Sequence, residues 1–552
     1  MPASQTRWIA LTTTLAVAAW CGALLCVPLH DGDLWFHLSG GRMLWERGDV
    51  PRVDELTLVR AGAPWIDLHW GFQILAYGAW SAGGAKGLGL FGCALAAAVA
   101  LATSGAAREL LRWHGVEEDR SRLLAPFAAL TWVPAFALRP LLRPELLSFA
   151  LLALLLATLV RFARAGSGRA GSAAVALLVA LANVQGLFVL GWLLAAALLA
   201  PLLLDRERRR GALLLGALLL AAPLANPYGV SGWLFPWELW TRIDGSAAVF
   251  SRIAEFTPAL LRNDATAWTF GAFAALIAAG CSLALGTRRF AQAFALGLLG
   301  AGALFLAYQA RRNLSFVALA AAAALVPLLA VALHRRVALA AGTLLGVLAL
   351  VLAIDAAGPA RAHAFRVVSP SGLGLAPDHF PLVGLERWKR AGEGEALFCD
   401  LNVGACASFV LERPALVDAR LEVLGRSGLE TYFELLADVG FFERTCEHYA
   451  LRAALIDLRA AHTRVLLAHL ASSSAWRAAA LDGPWALFVR ASWAEARPHF
   501  EGQGLGDLAA RRRLERAIEG GVKATARESA PRTEPVEAVP RAGTGARSSA
   551  PL

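Results

Sequence analysis

Apolar runs separated by short polar breaks fill the first two thirds of the chain. Runs near the length that crosses a bilayer, about 17 to 25 residues, lie at 11–28, 87–106, 123–138, 146–160, 173–186, 187–204, 212–225, 266–285, 290–309, 314–333 and 337–354. The pattern predicts about eleven transmembrane helices. Ala173 to Leu204 is too long for one helix and short for two, and Asn183 and Gln185 mark the break between them.

From Phe365 the pattern becomes that of a small α/β domain. ALFCD (Ala396 to Asp400), PALVDA (Pro414 to Ala419) and ALRAALIDL (Ala450 to Leu458) read as short buried strands. A helix is expected near Thr463 to Ser472, then a hairpin turning at Asp482 and Gly483. The predicted organisation is 1–357 transmembrane with a first external loop at 29–86, then 358–508 as an extracytoplasmic α/β domain. A tail, 509–552, is helical over Arg511 to Glu519 and then disordered.

Composition agrees with the pattern. Of 552 residues, 57% are hydrophobic and 17% charged, and the mean hydropathy of +0.53 excludes an ordinary soluble protein. The formal net charge of +10 does not point to nucleic acid, because the Arg residues recur at the ends of apolar runs, where they set membrane topology. With the N-terminus in the cytoplasm, Arg108 to Arg122, Arg161 to Arg169, Asp205 to Arg210, Arg288 with Arg289, and His334 to Arg336 all fall inside. The first run reads as an uncleaved span, the protein as multi-pass in the inner (plasma) membrane, and the C-terminal domain as external. No zinc spacing, Walker loop or dinucleotide fingerprint is present, and a bridge from Cys399 or Cys406 to Cys446 is allowed but not required.

Basic residues on the outer side break the charge rule. Arg139, Arg143, Arg242, Arg252, Arg311 and Arg312 fall there. Any one of them can be a snorkelling side chain, but adjacent Arg311 and Arg312 between two apolar runs suit a polar cavity. A guanidinium fork fits phosphate, which makes an anionic lipid headgroup the natural partner.

The first external stretch, LHDGDLWFHLSGGR (Leu29 to Arg42), concentrates acids and His directly after span one. The residues from His30 to Trp80 carry enough Trp, Phe and Tyr for helices lying in the membrane interface. A helix starting at Asp33 would put His37 on the same face, with Gly40 and Gly41 leaving room for an approaching group. Asp31 or Asp33 can deprotonate an acceptor or hold a divalent cation, Mg or Mn, against a phosphate. Asp31 can equally be an N-cap, and His69 simply a partner for Asp67. In the C-terminal part, His379, Asp400, Asp418, Arg420, Glu422 and Tyr432 either line an acceptor site or form structural ion pairs.

Taken in order, DLWFHLSGGR, VPRVDELT (Val50 to Thr57) and APWIDLHWGFQILAYGAW (Ala63 to Trp80) resemble bacterial multi-pass proteins related to the GT-C glycosyltransferases. That superfamily includes O-mannosyltransferases using dolichyl-phosphate mannose and the aminoarabinose transferases of lipid A. RPLLRPELLSF (Arg139 to Phe149), LANPYG (Leu224 to Gly229), IAEFTP (Ile253 to Pro258), ARRNLSF (Ala310 to Phe316) and LVDARLE (Leu416 to Glu422) extend the likeness along most of the chain. The resemblance implies a catalytic or metal-binding acid in the first external loop, a place taken by Asp33, with Asp31 second. It also implies an auxiliary acid in a later loop, Glu238 or Glu255. Where many relatives read Trp-Trp-His this chain has Trp35, Phe36, His37. Where many read His-Glu-Trp it has Leu68, His69, Trp70, so one acid of the pattern is missing.

Together these features predict a GT-C-like, inverting hexosyl or pentosyl transferase. It would move a sugar from a polyprenyl-phosphate donor to an envelope lipid, glycan or protein, with membrane lipids around it. Donor phosphate would meet Arg311, Arg312, Arg139 and Arg143, with His37, Arg42, His69, Glu238 and Glu255 as acceptor or auxiliary residues. The alternative is a non-catalytic transporter, flippase or assembly scaffold for lipid-linked polysaccharide, for which internal repeats would be expected; none is evident.

Overall fold

The computed structural model describes residues 3–242, 258–260, 264–357, 372–391, 395–495 and 512–519. The chain divides into two compact units, Met1–Leu455 and Ile456–Leu552.

Helices build most of the first unit: α1 (Ala3–Leu24), α2 (Leu34–Arg47), α3 (Trp70–Trp113), α4 (Glu118–Ala129), α5 (Trp132–Leu138) and α6 (Pro144–Ala165). Three short ones follow, α7 (Gly168–Ala182), α8 (Phe188–Leu199) and α9 (Arg209–Ala221). Then come α10 (Val230–Arg242), α11 (Ala265–Gly286), α12 (Phe290–Gln309), α13 (Leu314–Ala332) and α14 (Arg335–Ala357). Among the described residues eight helical segments are long and apolar enough to cross a membrane. The protein is polytopic.

Eight of the eleven predicted runs are thus full-length. The other three fold as α7, α8 and α9, of 15, 12 and 13 residues. At about 1.5 Å rise per residue these fall short of a hydrocarbon core about 30 Å thick. The break between α7 and α8 falls where the polar pair interrupts the apolar run, with Asn183 as the C-cap of α7.

Close packing sets the bundle. Thr13 of α1 donates its hydroxyl to the Gly342 carbonyl of α14 at 2.9 Å, and a Cβ on Gly346 would lie 3.4 Å from the Thr13 Cα, so small residues bring the two backbones together. At one end of the bundle the Arg-rich loops act as staples. Arg161 and Arg164 reach the buried Glu109 at 2.7 and 3.2 Å, and Arg120 donates to the terminal carbonyls of α13 at Ala330 and Leu333.

The loop between α1 and α3 lies at the opposite end. There α2 is buried along most of its length, from Leu34 to Gly41 and again at Met43 and Leu44. The room expected beside Gly40 and Gly41 is filled by α3: a Cβ on Gly41 would lie 2.3 Å from the Gln73 carbonyl oxygen. Gly83 and Gly84 kink α3, and Gly84 takes φ +56°, which separates the loop-side turns from the span proper.

Later elements of the first unit are α15 (Leu382–Ala391), β1 (Leu397–Cys399), α16 (Leu401–Leu411), α17 (Leu421–Ala437), α18 (Val439–His448) and β2 (Ala453–Asp457), which runs into the second unit. β1 and β2 pair in parallel, Leu397 opposite Ala453. Pro414 to Ala419, read as a strand, belongs to no sheet. It forms a strap along the first loop: the Leu58 and Val59 amides donate to the Ala415 and Leu416 carbonyls at 2.8 and 3.2 Å, and the Ala415 amide donates to Leu56 at 2.9 Å. In the second unit, α19 (Arg464–Ser472) precedes an antiparallel hairpin of β3 (Trp476–Asp482) and β4 (Trp485–Arg490), closed by α20 (Ala491–Glu495). Gly483 takes φ +55° at the turn. Residues 512–519 are helical, and the tail beyond them lies outside the described residues. Cys399, Cys406 and Cys446 are buried, and no disulfide joins them.

Candidate active site

Proline spacing explains why two of the site arginines leave their helices. In RPLLRPE, Pro140 and Pro144 disfavour helical backbone at the residues before them. Arg139 therefore stands at φ −143° past the end of α5, and Arg143 at φ −134° as the N-cap of α6, with Pro144 on the first turn. Released from the helix, Arg143 reaches back to the exit of α1. Its Nε and Nη2 donate to Asp31 Oδ2 and Oδ1 at 2.5 and 2.9 Å, and Nη2 lies 3.1 Å from Asp33 Oδ2.

That clamp gives the two acids different surroundings. Asp31 has 9% of its side chain exposed and Asp33 25%. Burial works against a charged Asp31, but Arg143, with Arg139 behind it, outweighs burial and holds the carboxyl below its usual range. The Asp33 amide also donates to Asp31 Oδ1 at 3.2 Å. Asp33 begins α2, as expected, without a side-chain capping bond.

A cavity of about 310 Å³ opens beside this clamp. Its polar lining is His30, Arg139, Thr266, Arg311, Arg312 and Ser315. α12 ends at Gln309 and α13 begins at Leu314, so the corner between them holds both arginines at the end of the bundle. Arg311 Nη2 lies 3.0 Å from Thr266 Oγ1 and 3.3 Å from Asp264 Oδ2. Asp264 is itself the N-cap of α11. Three of the four predicted phosphate-binding arginines thus line one cavity, and the fourth holds the adjoining acids. The contributions of Asp264 and Thr266 were not legible, since nothing in sequence joins the start of α11 to the α12–α13 corner.

A second polar group lies around His69. Its ring centroid is 5.3 Å from that of His37, and its Nδ1 is 3.5 Å from Oδ1 of the fully buried Asp67. Burial lowers the His69 pKa, but Asp67, then Glu422 and Glu145, more than reverse this and raise it. His37 is held well below the usual histidine value by burial, His69 and Arg143, and so is neutral. Burial raises the pKa of Glu422 despite His69 and Arg420. Arg139 Nη1 lies 3.7 Å from Glu145, which links this group to the cavity.

Other candidates have structural duties. Arg42 turns to α16, donating to the Phe409 carbonyl at 3.3 Å and covering the Phe409 ring at 4.7 Å. Arg420 is fully buried between Asp54 and Asp418, at 2.6 and 2.8 Å. Tyr432 donates to Asp400 at 2.9 Å, and the His379 ring lies against His30, with 5.9 Å between centroids. Glu238 is half-buried on α10. Glu255 and Arg252 lie outside the described residues.

Asp31 and Asp33 were the acids expected to hold a divalent cation. In this arrangement the Arg143 guanidinium takes the position between them that a cation would need. Among the described residues no group of three or more His, Cys, Asp or Glu side chains is disposed to hold a metal ion. The residues as placed do not fit a Mg or Mn site.

No family model matches the chain, and no curated protein matches it in sequence. Its fold does have solved counterparts. The apo oligosaccharyltransferase of Archaeoglobus fulgidus is similar, with a TM-score of 0.60 at 13% identity over 83% of this chain and 71% of that one. The same organism's oligosaccharyltransferase AglB, in complex with an inhibitory peptide and a dolichol-phosphate, gives 0.59 at 11% identity, with the same coverage. ArnT from Cupriavidus metallidurans, bound to undecaprenyl phosphate, gives 0.51 at 14% identity over 88% of this chain and 98% of that one. These neighbours are GT-C glycosyltransferases, and identities this low establish the shared fold alone. The fold is GT-C-like.

Proposed function

We propose that this chain, having the GT-C-like fold, is a membrane glycosyltransferase that takes a sugar from a polyprenyl-phosphate donor and passes it to an envelope acceptor. The observation that carries the reading is the cavity in which Arg139, Arg311 and Arg312 meet beside the Asp31–Asp33–Arg143 clamp. It supplies guanidinium forks for a phosphate next to a partly exposed carboxylate. ArnT bound to undecaprenyl phosphate and AglB bound to dolichol-phosphate support a lipid phosphate as the occupant.

In this reading the acceptor oxygen attacks the anomeric carbon as the bond from that carbon to the phosphate oxygen breaks. The electron pair leaves on the phosphate, where the arginines stabilise the growing charge. Asp33, more exposed than Asp31, takes the acceptor proton, while Asp31 and Arg143 position it. Direct displacement inverts the anomeric carbon. In the same reading the chain is multi-pass in the inner membrane, with a cytoplasmic N-terminus, the reaction on the outer face and the C-terminal α/β part extracytoplasmic.

The test uses purified protein in lipid nanodiscs, a panel of radiolabelled polyprenyl-phosphate sugars and an envelope fraction as acceptor source. Transfer by the wild type is expected, with loss in Asp33→Asn and in Arg311→Ala. If the wild type binds lipid-linked glycan yet moves no sugar from any donor, the transferase reading fails and a transport or scaffold role replaces it.

A further inference from the structure

Among the described residues that line the donor cavity, His30 is the ionisable side chain to which the proposed chemistry gives no part. It stands just past α1, where the chain is clipped to the segment before α15. The Leu29 amide donates to the Gly374 carbonyl at 2.7 Å, and the Ala376 amide donates to the Leu29 carbonyl at 2.8 Å. This bridge holds the backbone from which the His30 side chain leaves.

The ring is held as well. Its Nδ1 lies 2.9 Å from the Pro28 carbonyl oxygen, and it meets the His379 ring edge to face, at 83° and 5.9 Å between centroids. A carbonyl oxygen can only accept, so Nδ1 carries the hydrogen of that bond. The tautomer follows: in the neutral ring Nε2 has a lone pair and no hydrogen. Among the described residues no protein group hydrogen-bonds to Nε2. His30 is only half-buried, so this nitrogen is left to whatever occupies the cavity.

The rest of the lining says what such an occupant meets. Arg139, Arg311 and Arg312 supply positive charge, Thr266 and Ser315 supply hydroxyls, and among the described residues no carboxylate lines the cavity. Glu145 and Asp264 approach Arg139 and Arg311 at 3.7 and 3.3 Å from outside that lining and offset part of their charge. A phosphate oxygen brought to the neutral His30 ring would set a lone pair against a lone pair. Once Nε2 is protonated, the same oxygen meets a donor, and the bond is charge-assisted.

We propose that His30 is a fourth contact of the lipid phosphate in this cavity, made only when its ring carries two protons, so that binding the lipid takes up a proton. This rests on the donor reading and adds a regulation to the same site. A ring that gains a phosphate partner holds its second proton more firmly, so the added affinity is present at low pH and lost as pH rises. The charged and titratable groups around His30 are Arg139, Arg311 and Arg312 in the cavity, His379 against its ring, and Asp31 and Asp33 next along the chain with Arg143 on them. The arginines keep their charge throughout the range in which histidine titrates.

The test measures binding of undecaprenyl methyl phosphate, a diester whose single charge does not change with pH. The full chain is held in phosphatidylcholine nanodiscs at about pH 5.5 and about pH 8. The wild type is expected to bind the diester about tenfold more tightly at the lower pH. His30→Asn, whose amide can still donate to Pro28, should keep the wild-type melting temperature and show the weaker affinity at both pH values. His30→Gln, whose amide stands near the Nε2 position as a donor that does not titrate, should also bind equally at both. Equal wild-type affinity at the two pH values overturns the proposal. So does a pH dependence that survives in both variants, which would make His379 or His69 the titrating group. Arg311→Ala reports separately on the donor reading, since it should weaken the diester at both pH values. Diester binding that Arg311→Ala weakens, but that does not respond to pH, defeats only the His30 contact. A wild type that binds no diester at either pH defeats the donor reading and the His30 contact together.

Discussion

Arg420 and Asp54 stand 366 residues apart in sequence and meet at 2.6 Å with neither side chain exposed. Asp418 completes the pair from the other side at 2.8 Å, and Thr57 donates its hydroxyl to Asp54. Burying these charges brings little net stability in itself, but removing one partner strands the others. Arg420→Met should therefore destabilise the protein by about 3 to 5 kcal/mol, read as a lower midpoint in denaturant. A midpoint within experimental error of the wild type would show that the strap is not anchored by this residue.

The strap is also held by shape. A Cβ placed on Gly404 of α16 would lie 1.8 Å from the Val417 carbonyl oxygen. Both sides of that contact are backbone, so neither can swing away. Gly404→Ala should cost at least about 1 to 3 kcal/mol through overpacking. Unchanged thermal stability would rule out the tight approach of α16 to the strap.

Arg311 offers the opposite balance of effects. Its partner Asp264 and its own side chain are both partly exposed, at 35% and 29%, where an ion pair contributes about 0 to 1 kcal/mol. Arg311→Ala should barely move the melting temperature. A lost charge-assisted bond to phosphate is worth about 1.5 to 3 kcal/mol, so affinity for undecaprenyl phosphate should fall about tenfold to a hundredfold. Unaltered lipid affinity would remove the residue from the donor site.

The two polar groups should give stability slopes of opposite sign with pH. The Asp31 pKa is lowered in the folded protein, so its contribution is present above the unfolded value of about 3.9 and is lost as pH falls through the lower folded value. The His69 pKa is raised, so its contribution is complete below about 6.5 and is lost as pH rises through the higher folded value. Asp31→Asn should flatten the acid limb of a stability profile, and His69→Gln the limb above about pH 6.5. Parallel profiles for wild type and His69→Gln would contradict the Asp67–His69 pairing.

Much of this arrangement was readable from the sequence because it rests on local rules. Apolar run length located the eight long apolar helices. The adjacent Arg311 and Arg312 signalled a polar site simply by lying between two apolar runs. Non-local pairing was not readable. PALVDA has the composition of a buried strand, yet its partner is the loop at Leu56 to Val59 rather than β1. The glycines of α2 looked like space for a ligand and serve helix contact instead, since only the position of Gln73 distinguishes the two. Arg42 was grouped with its neighbours in sequence, whereas the face of α2 it occupies belongs to α16.

The pairing of Ala415 with the first loop also sets a timetable for assembly. Thr57 leaves the ribosome more than three hundred residues before its partner, so the loop must wait while every hydrophobic helix is made and inserted. Closing so long a connection is entropically slow. A chain stopped after α14 would contain the full helical bundle but would leave the Asp54 carboxylate without its guanidinium. The packing of the strap against the loop is thus a late event in biogenesis, since it must follow synthesis of every helix of the bundle.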